Sequence, residues 1–179
     1  MRTLFLSVLA LGPIAVATGP AAAAAQDQPG GIAAITPLWE RFKSLYIQSL
    51  EAMPEEKLGY RPTADVRTFG QIVGHVANDH YAFCSAALGE KSPNAQDFEK
   101  TTTRAGLLQA LKDSFAYCDR AYRLSDKTAA EQTDFFGTKG SRLWVLNYNV
   151  THDGEHYGNL VVYFRINGIV PPSSRRQGG

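Results

Sequence analysis

The sequence predicts an all-α protein built as a four-helix bundle. Three observations predict it. Four segments repeat apolar residues at three- and four-residue spacing. Three of them open on a Ser or Thr suited to an N-cap, namely Thr36, Thr68 and Ser141. No segment carries a strand signal.

The first segment opens at Thr36, with Pro37 at the favoured first helical position. Leu38, Trp39, Phe42, Leu45, Tyr46, Leu50 and Met53 form its stripe, and Pro54 ends it. Residues 54–67, held by Pro54 and Pro62, are a connection. Thr68 and Gln71 then have the spacing of a capping box. Behind them Phe69, Ile72, Val73, Val76, His80, Phe83 and Ala87 share one helical face, as far as about Leu88. Residues 89–102 form a polar crossover. The third segment runs from Thr103 to Tyr122, with Leu107, Leu108, Leu111, Phe115, Cys118 and Tyr122 inward. A second long loop, 124–140, ends in Gly137 and Gly140. Ser141 caps the fourth segment, which carries Leu143, Leu146, Val150, Leu160, Tyr163 and Phe164. Gly168 stops it, and Pro171-Pro172 cannot continue it. Connections of 14 residues or more permit parallel as well as antiparallel neighbours.

Both ends lie outside this pattern. Arg2, the apolar stretch Leu4–Ala17 and the run Ala21–Ala25 read as a secretory signal peptide, residues 1–25. Its apolar core is broken by Pro13 and falls short of the roughly 20 apolar residues of a membrane span. With no second apolar span, the expectation is an exported protein, periplasmic or secreted, without a stable membrane anchor. Residues 26–35 read as a flexible leader, 36–172 as the bundle and 173–179 as a polar tail. The chain has 179 residues, with 18 basic and 17 acidic side chains. Removal of residues 1–25 takes away Arg2 and no acid, so the charge becomes zero. That balance offers no electrostatic footprint for nucleic acid. The only cysteines are Cys84 and Cys118. An exported location permits a disulfide between them, and two small buried hydrophobes are the equal alternative.

The four histidines fall in two short segments. His152 and His156, at i and i+4, put both imidazoles on one helix face. His75 lies near the start of the second helix, with Asp79 one turn after it. If those helices are antiparallel neighbours, three neutral imidazoles can hold Zn²⁺, or Ni²⁺, and leave a position for water. The ion lowers the pKa of such a water to about 7, which makes it a nucleophile. His80 is five residues from His75, in the apolar stripe, and reads as a packed or networked side chain outside the site. The run His152-Asp153-Gly154-Glu155-His156 fits the pattern H-x-x-E-H literally. Two points count against a protease reading. Only 23 residues follow His156, leaving no later helix to supply the usual third ligand. Asp153 is also one methylene shorter than the glutamate a zincin uses as base.

The stretches Thr68–Glu90 and Arg142–Ser174 resemble the DinB-like superfamily of damage-inducible bacterial proteins. The resemblance rests on a histidine early in the second helix, H-x-x-x-H in the fourth, and the ending Gly-Ile-Val-Pro-Pro. It implies an up-down-down-up bundle with long crossover connections, and a divalent metal bound by His75, His152 and His156. In that topology the second and third helices run parallel. Cys84, 16 residues after Thr68, and Cys118, 15 after Thr103, then lie at nearly equal height, which implies a contact and permits a disulfide. Family members with known chemistry include metal-dependent thiol transferases and a mycothiol-dependent isomerase.

The implied function is that of a metal-dependent hydrolase or transferase acting on a small molecule outside the cytoplasm. The alternative is a non-catalytic metal- or ligand-binding bundle. Glu155 and Asp79 are the candidate catalytic groups. Tyr157, Asn149 and Asn159 are polar groups near the ligands, able to orient a substrate or to pack. Arg165 either meets an anion or compensates the helix dipole. No cluster of Lys and Arg is visible for a charged cosubstrate. A homodimer through helix faces is compatible with the pattern, though one bundle already uses the apolar stripes.

Overall fold

A computed structural model describes residues 30–175. The signal peptide read at residues 1–25 lies outside the described residues, as do the first four residues of the leader and the last four of the tail. Four long helices correspond to the four predicted segments: α1 (Gly31–Ala52), α2 (Phe69–Leu88), α3 (Arg104–Cys118) and α5 (Arg142–Ile166). Before α5 come a one-turn helix, α4 (Asp126–Ala129), and a hairpin of β1 (Gln132–Phe135) and β2 (Thr138–Ser141). Among the described residues no helix is long and apolar enough to cross a membrane.

Side-chain contacts fix the helix directions. Trp39 in the first half of α1 meets Phe115 and Asp119 at the end of α3, and the Met53 carbonyl after α1 accepts from Arg104 at the start of α3. These two helices are antiparallel. Gly70 faces Leu107 at one end of the α2–α3 pair, and Cys84 is disulfide-bonded to Cys118 at the other, so α2 and α3 are parallel. Phe69 packs on Phe164, and Phe83 on Tyr148, so α2 and α5 are antiparallel. Tyr46 donates to the Asp153 carbonyl and Lys57 to Asn167, which makes α1 and α5 parallel. The order is up-down-down-up.

The caps follow the sequence where side chains are local. The Thr68 hydroxyl accepts from the Gln71 amide at 3.2 Å, and Gln71 accepts from the Thr68 amide at 2.9 Å. Ser141 caps α5 through the Trp144 amide.

The structure departs from expectation at three places. First, α1 starts at Gly31, so residues 31–35 are its first turn rather than leader. Its cap comes from elsewhere in the chain: the Asp126 carboxylate of α4 accepts from the Ile32 amide at 3.2 Å. Ile32 is buried, and Thr36 turns its hydroxyl back onto the Ile32 carbonyl instead of capping. Second, α3 ends at Cys118, and the chain tightens into a 3₁₀ turn at Ala121–Arg123. This places Tyr122 flat on Trp39, with ring centroids 4.7 Å apart. Third, the loop 124–140 contains the hairpin. Its strands are four residues long, too short to show alternation. Phe136 and Gly137 at its tip both have positive φ, 51° and 78°, as a type I′ turn requires. Phe135 beneath them stacks on Phe83 at 4.5 Å.

Two features of this frame bear on the site. In the core, His80, Ser114 and Asp153 form a fully buried polar layer: His80 Nε2 lies 2.9 Å from Asp153 Oδ1, and Nδ1 lies 3.1 Å from Ser114 Oγ. On the outside, the crossover before α3 rests directly on α2. A Cβ on Gly74 would stand 2.3 Å from the Phe98 carbonyl oxygen, so only glycine allows this approach. Replacing it with alanine must lift the Phe98–Lys100 turn, a form of overpacking that costs about 1–3 kcal/mol. We expect Gly74→Ala to lower the denaturation midpoint accordingly, measured in urea with the disulfide intact. The disulfide joins residues 34 apart. In the chain-entropy account, closing a loop of that length contributes about 3–4 kcal/mol. A Cys84→Ser/Cys118→Ser double variant, or wild type with a reductant, should lose about that much in equilibrium unfolding; an unchanged midpoint would contradict the account.

Candidate metal centre

The Thr68 cap sets the phase of α2, and His75 lies in its second turn. His152 and His156 are one turn apart on α5. Because α2 and α5 are antiparallel, the three imidazoles meet, each contributing one nitrogen to a set whose members all lie within 4.8 Å of one another. His152 Nε2 and His156 Nε2 are 3.0 Å apart. Asp79 Oδ2 stands 3.1 Å from Nε2 of both His75 and His152.

Groups behind the imidazoles hold two of them in place. Glu99 Oε1, in the crossover turn, is 3.1 Å from His75 Nδ1. The other oxygen of Glu99 accepts from Arg67 Nε at 3.1 Å. The Asn159 amide is 3.3 Å from His156 Nδ1. His152 Nδ1 is buried with no hydrogen-bond partner among the described residues, and its ring lies against Phe83.

Burial pushes the His75 pKa down, only partly opposed by Asp79. Burial and then the neighbouring imidazoles push His156 down to about 4. Both rings are therefore neutral near pH 7. For Asp79, burial acts upward, but the His152 hydrogen bond and the surrounding imidazoles outweigh it and hold the carboxyl below its usual range. A neutral His75 has one N–H for two carboxylate partners. With the proton on Nδ1 toward Glu99, Nε2 turns a lone pair toward the anionic Asp79 oxygen. His152 Nε2 faces the same oxygen and His156 Nε2 at once. Lone pairs outnumber protons at this point, and a divalent cation matches that surplus. The donor set, imidazoles backed by a carboxylate and an amide, is one that Zn²⁺ or Ni²⁺ accepts.

The remaining predicted residues separate. Glu155 is exposed and makes no hydrogen bond to a ligand, but it lines a cleft that opens beside His156. The cleft has a volume of about 720 Å³ and also meets Arg61, Val66, Arg67 and Val162. His80 lies in the core layer, away from the three imidazoles. Tyr157 packs between Phe42 and Tyr46, and its hydroxyl accepts from the Ser173 amide. Asn149 donates to Tyr122 inside the core. Arg165 reaches the tail at Ser174. Arg61 and Arg67, six positions apart in a connection without periodicity, line one cleft together with Asp65 and Glu155. Glu99 was not foreseen. It belongs to a polar loop, and nothing in the neighbouring sequence marks it among the acids there.

The sequence matches the DinB superfamily over residues 38–160. No curated protein matches it. Among solved structures, a DinB-like protein from Bacillus cereus is 18% identical with a TM-score of 0.69, over 79% of this chain and 96% of that one. A DinB-like protein from Bacillus subtilis is 19% identical with a TM-score of 0.59, over 79% and 99%. The mycothiol-dependent maleylpyruvate isomerase is 17% identical with a TM-score of 0.56, over 73% of this chain and 59% of the isomerase. At such identities the three likenesses are of fold. The family match takes in α2, α3 and both histidines of α5, well over half of the chain: the protein belongs to the DinB superfamily.

Proposed function

We propose that His75, His152 and His156 hold one divalent ion, Zn²⁺ ahead of Ni²⁺, and that the protein uses it as a hydrolase or transferase on a small molecule outside the cytoplasm. The observation that carries this reading is the position of the triad: three imidazoles converge beside a cleft of about 720 Å³, with His156 itself in the wall. An ion of this kind supplies Lewis acidity to an oxygen or sulfur atom brought to it. The protein's own groups do the rest. With the His75 proton on Nδ1 toward Glu99, the Nε2 lone pair is directed inward, and Arg67 holds Glu99 there. Asp79, a carboxylate at the edge of the triad, is assigned the role of proton acceptor. Glu155 faces the cleft without a partner among the histidines. The likeness to the mycothiol-dependent maleylpyruvate isomerase supports an enzyme at this fold. Export is supported by the Cys84–Cys118 disulfide, since such bonds persist in oxidising compartments.

Elemental analysis of protein purified without a histidine tag should find about one equivalent of metal, consistent with a single three-ligand site. His75→Ala, His152→Ala and His156→Ala should each abolish it. His80→Ala should keep the metal and instead lose about 3–5 kcal/mol of stability, because it strands the buried Asp153. Substoichiometric metal in wild type, or metal loss in His80→Ala alone, overturns the assignment. Glu99→Ala should weaken Zn²⁺ binding by about 10–100-fold in chelator competition, the usual effect of removing a carboxylate behind a ligating histidine.

A further inference from the structure

We propose that the cleft beside His156 takes a small organic anion bearing a hydrocarbon group, its charge held by Arg61 and Arg67 and its apolar part lying between Val66 and Val162. This names the ligand class of the proposed metal site. It rests on that reading only for what happens at the ligand's reactive end.

The wall that carries the two arginines is built in advance. The Tyr60 carbonyl accepts from the Phe69 amide at 2.9 Å, and the Arg67 carbonyl accepts from the Tyr163 hydroxyl at 2.7 Å. The connection between α1 and α2 is thereby tied to both helices that flank the cleft. Between these ties, Arg61 folds onto the Ala64 carbonyl through one nitrogen. Arg67 uses only Nε, on Glu99. The other guanidinium nitrogens of both residues are unspent, and the planar fork suits two oxygens of a carboxylate or phosphate. Arg61 has no carboxylate within ion-pair distance among the described residues, and Arg67 has only Glu99.

Two acids, Asp65 and Glu155, also line the cleft, and neither pairs with either guanidinium. Asp65 stands on the same connection as the arginines and Glu155 on α5, so the charges of the lining balance; what selects an anion is the set of unspent guanidinium N–H groups, which take acceptors only. Val66 on the loop and Val162 on α5 are 40% and 52% exposed, on the two sides of the cleft. Apolar side chains left this open beside a charged wall match a ligand that is anionic at one end and hydrocarbon at the other.

Four probes of one shape test this by calorimetry: 3-phenylpropanoate, phenyl phosphate, neutral 3-phenylpropanamide and cationic 3-phenylpropylamine. Each is titrated into metal-free and zinc-loaded protein, as wild type, Arg61→Gln and Arg67→Gln, with folding checked by circular dichroism. The expected result is saturable one-to-one binding of at least one anion, and none of the amide. Loss of a charged hydrogen bond should weaken it by about ten-fold or more in each variant. Arg61→Gln is the clean arm, because Arg67 also touches Glu99. Preference for the amine, equal binding of the amide, or indifference to Arg61→Gln overturns the proposal. Binding that appears only with zinc and ignores both arginine variants overturns it too, since the ion alone would then hold the anion. If zinc fails to bind while the anion still binds through the arginines, the metal reading falls and this one stands.

Discussion

The hydrogen bond between His80 and Asp153 sets the frame on which the site is hung. Both side chains have no solvent exposure, and they join α2 to α5 at 2.9 Å. A buried pair of this kind is weak evidence for net stability, because desolvation offsets much of the attraction. Its effect here is on register. Any slip of α5 along α2 would strand a charge or an unpaired imidazole in the core, at a cost no apolar contact would incur. Asp79 precedes His80 and His152 precedes Asp153 in the chain. The residues that lock the helices are thus the immediate neighbours of two that form the site. With inward positions fixed by the buried pair, the adjacent positions turn to the side and meet each other at 3.1 Å.

The same reasoning shows why the convergence of His75, His152 and His156, without His80, was legible. Residues i and i+4 share a helix face. Residues five apart diverge by about 140° at 100° per residue, so His75 and His80 could not serve one centre. His80 stood in an apolar stripe and His75 beside it, and helical phase alone separated core from site. The helices, the Thr68–Gln71 box and the Ser141 cap were legible for a related reason. Each depends on residues within four positions of one another.

What was not legible depends on long-range partners. The start of α1 is stabilised by Asp126, 94 positions away from Ile32. No local signal at Gly31 records that, so Thr36 and Pro37 looked like the start. The hairpin takes its stability from Phe135 on Phe83, again a contact outside the segment. Glu99, Arg61 and Arg67 belong to connections, where periodicity carries no information. Their roles arise because Gly74 lets one crossover lie flat on α2 and because Tyr163 ties down another.

The site therefore divides physically into two parts. Ligand atoms come from α2 and α5, whose relative position is fixed by a buried polar pair, a disulfide to α3 and a packed core. The groups that orient His75 and line the cleft come from loops clamped onto that frame by a few backbone contacts. Substitution in the loops can change what enters the cleft, or how strongly His75 is held, without moving the three nitrogens. A single helical scaffold with this division can keep one metal centre while its loops select different ligands, and so the fold by itself does not specify the chemistry. In this chain Arg61, Val66, Arg67 and Val162 line the cleft, and Glu99 joins Arg67 to the His75 imidazole.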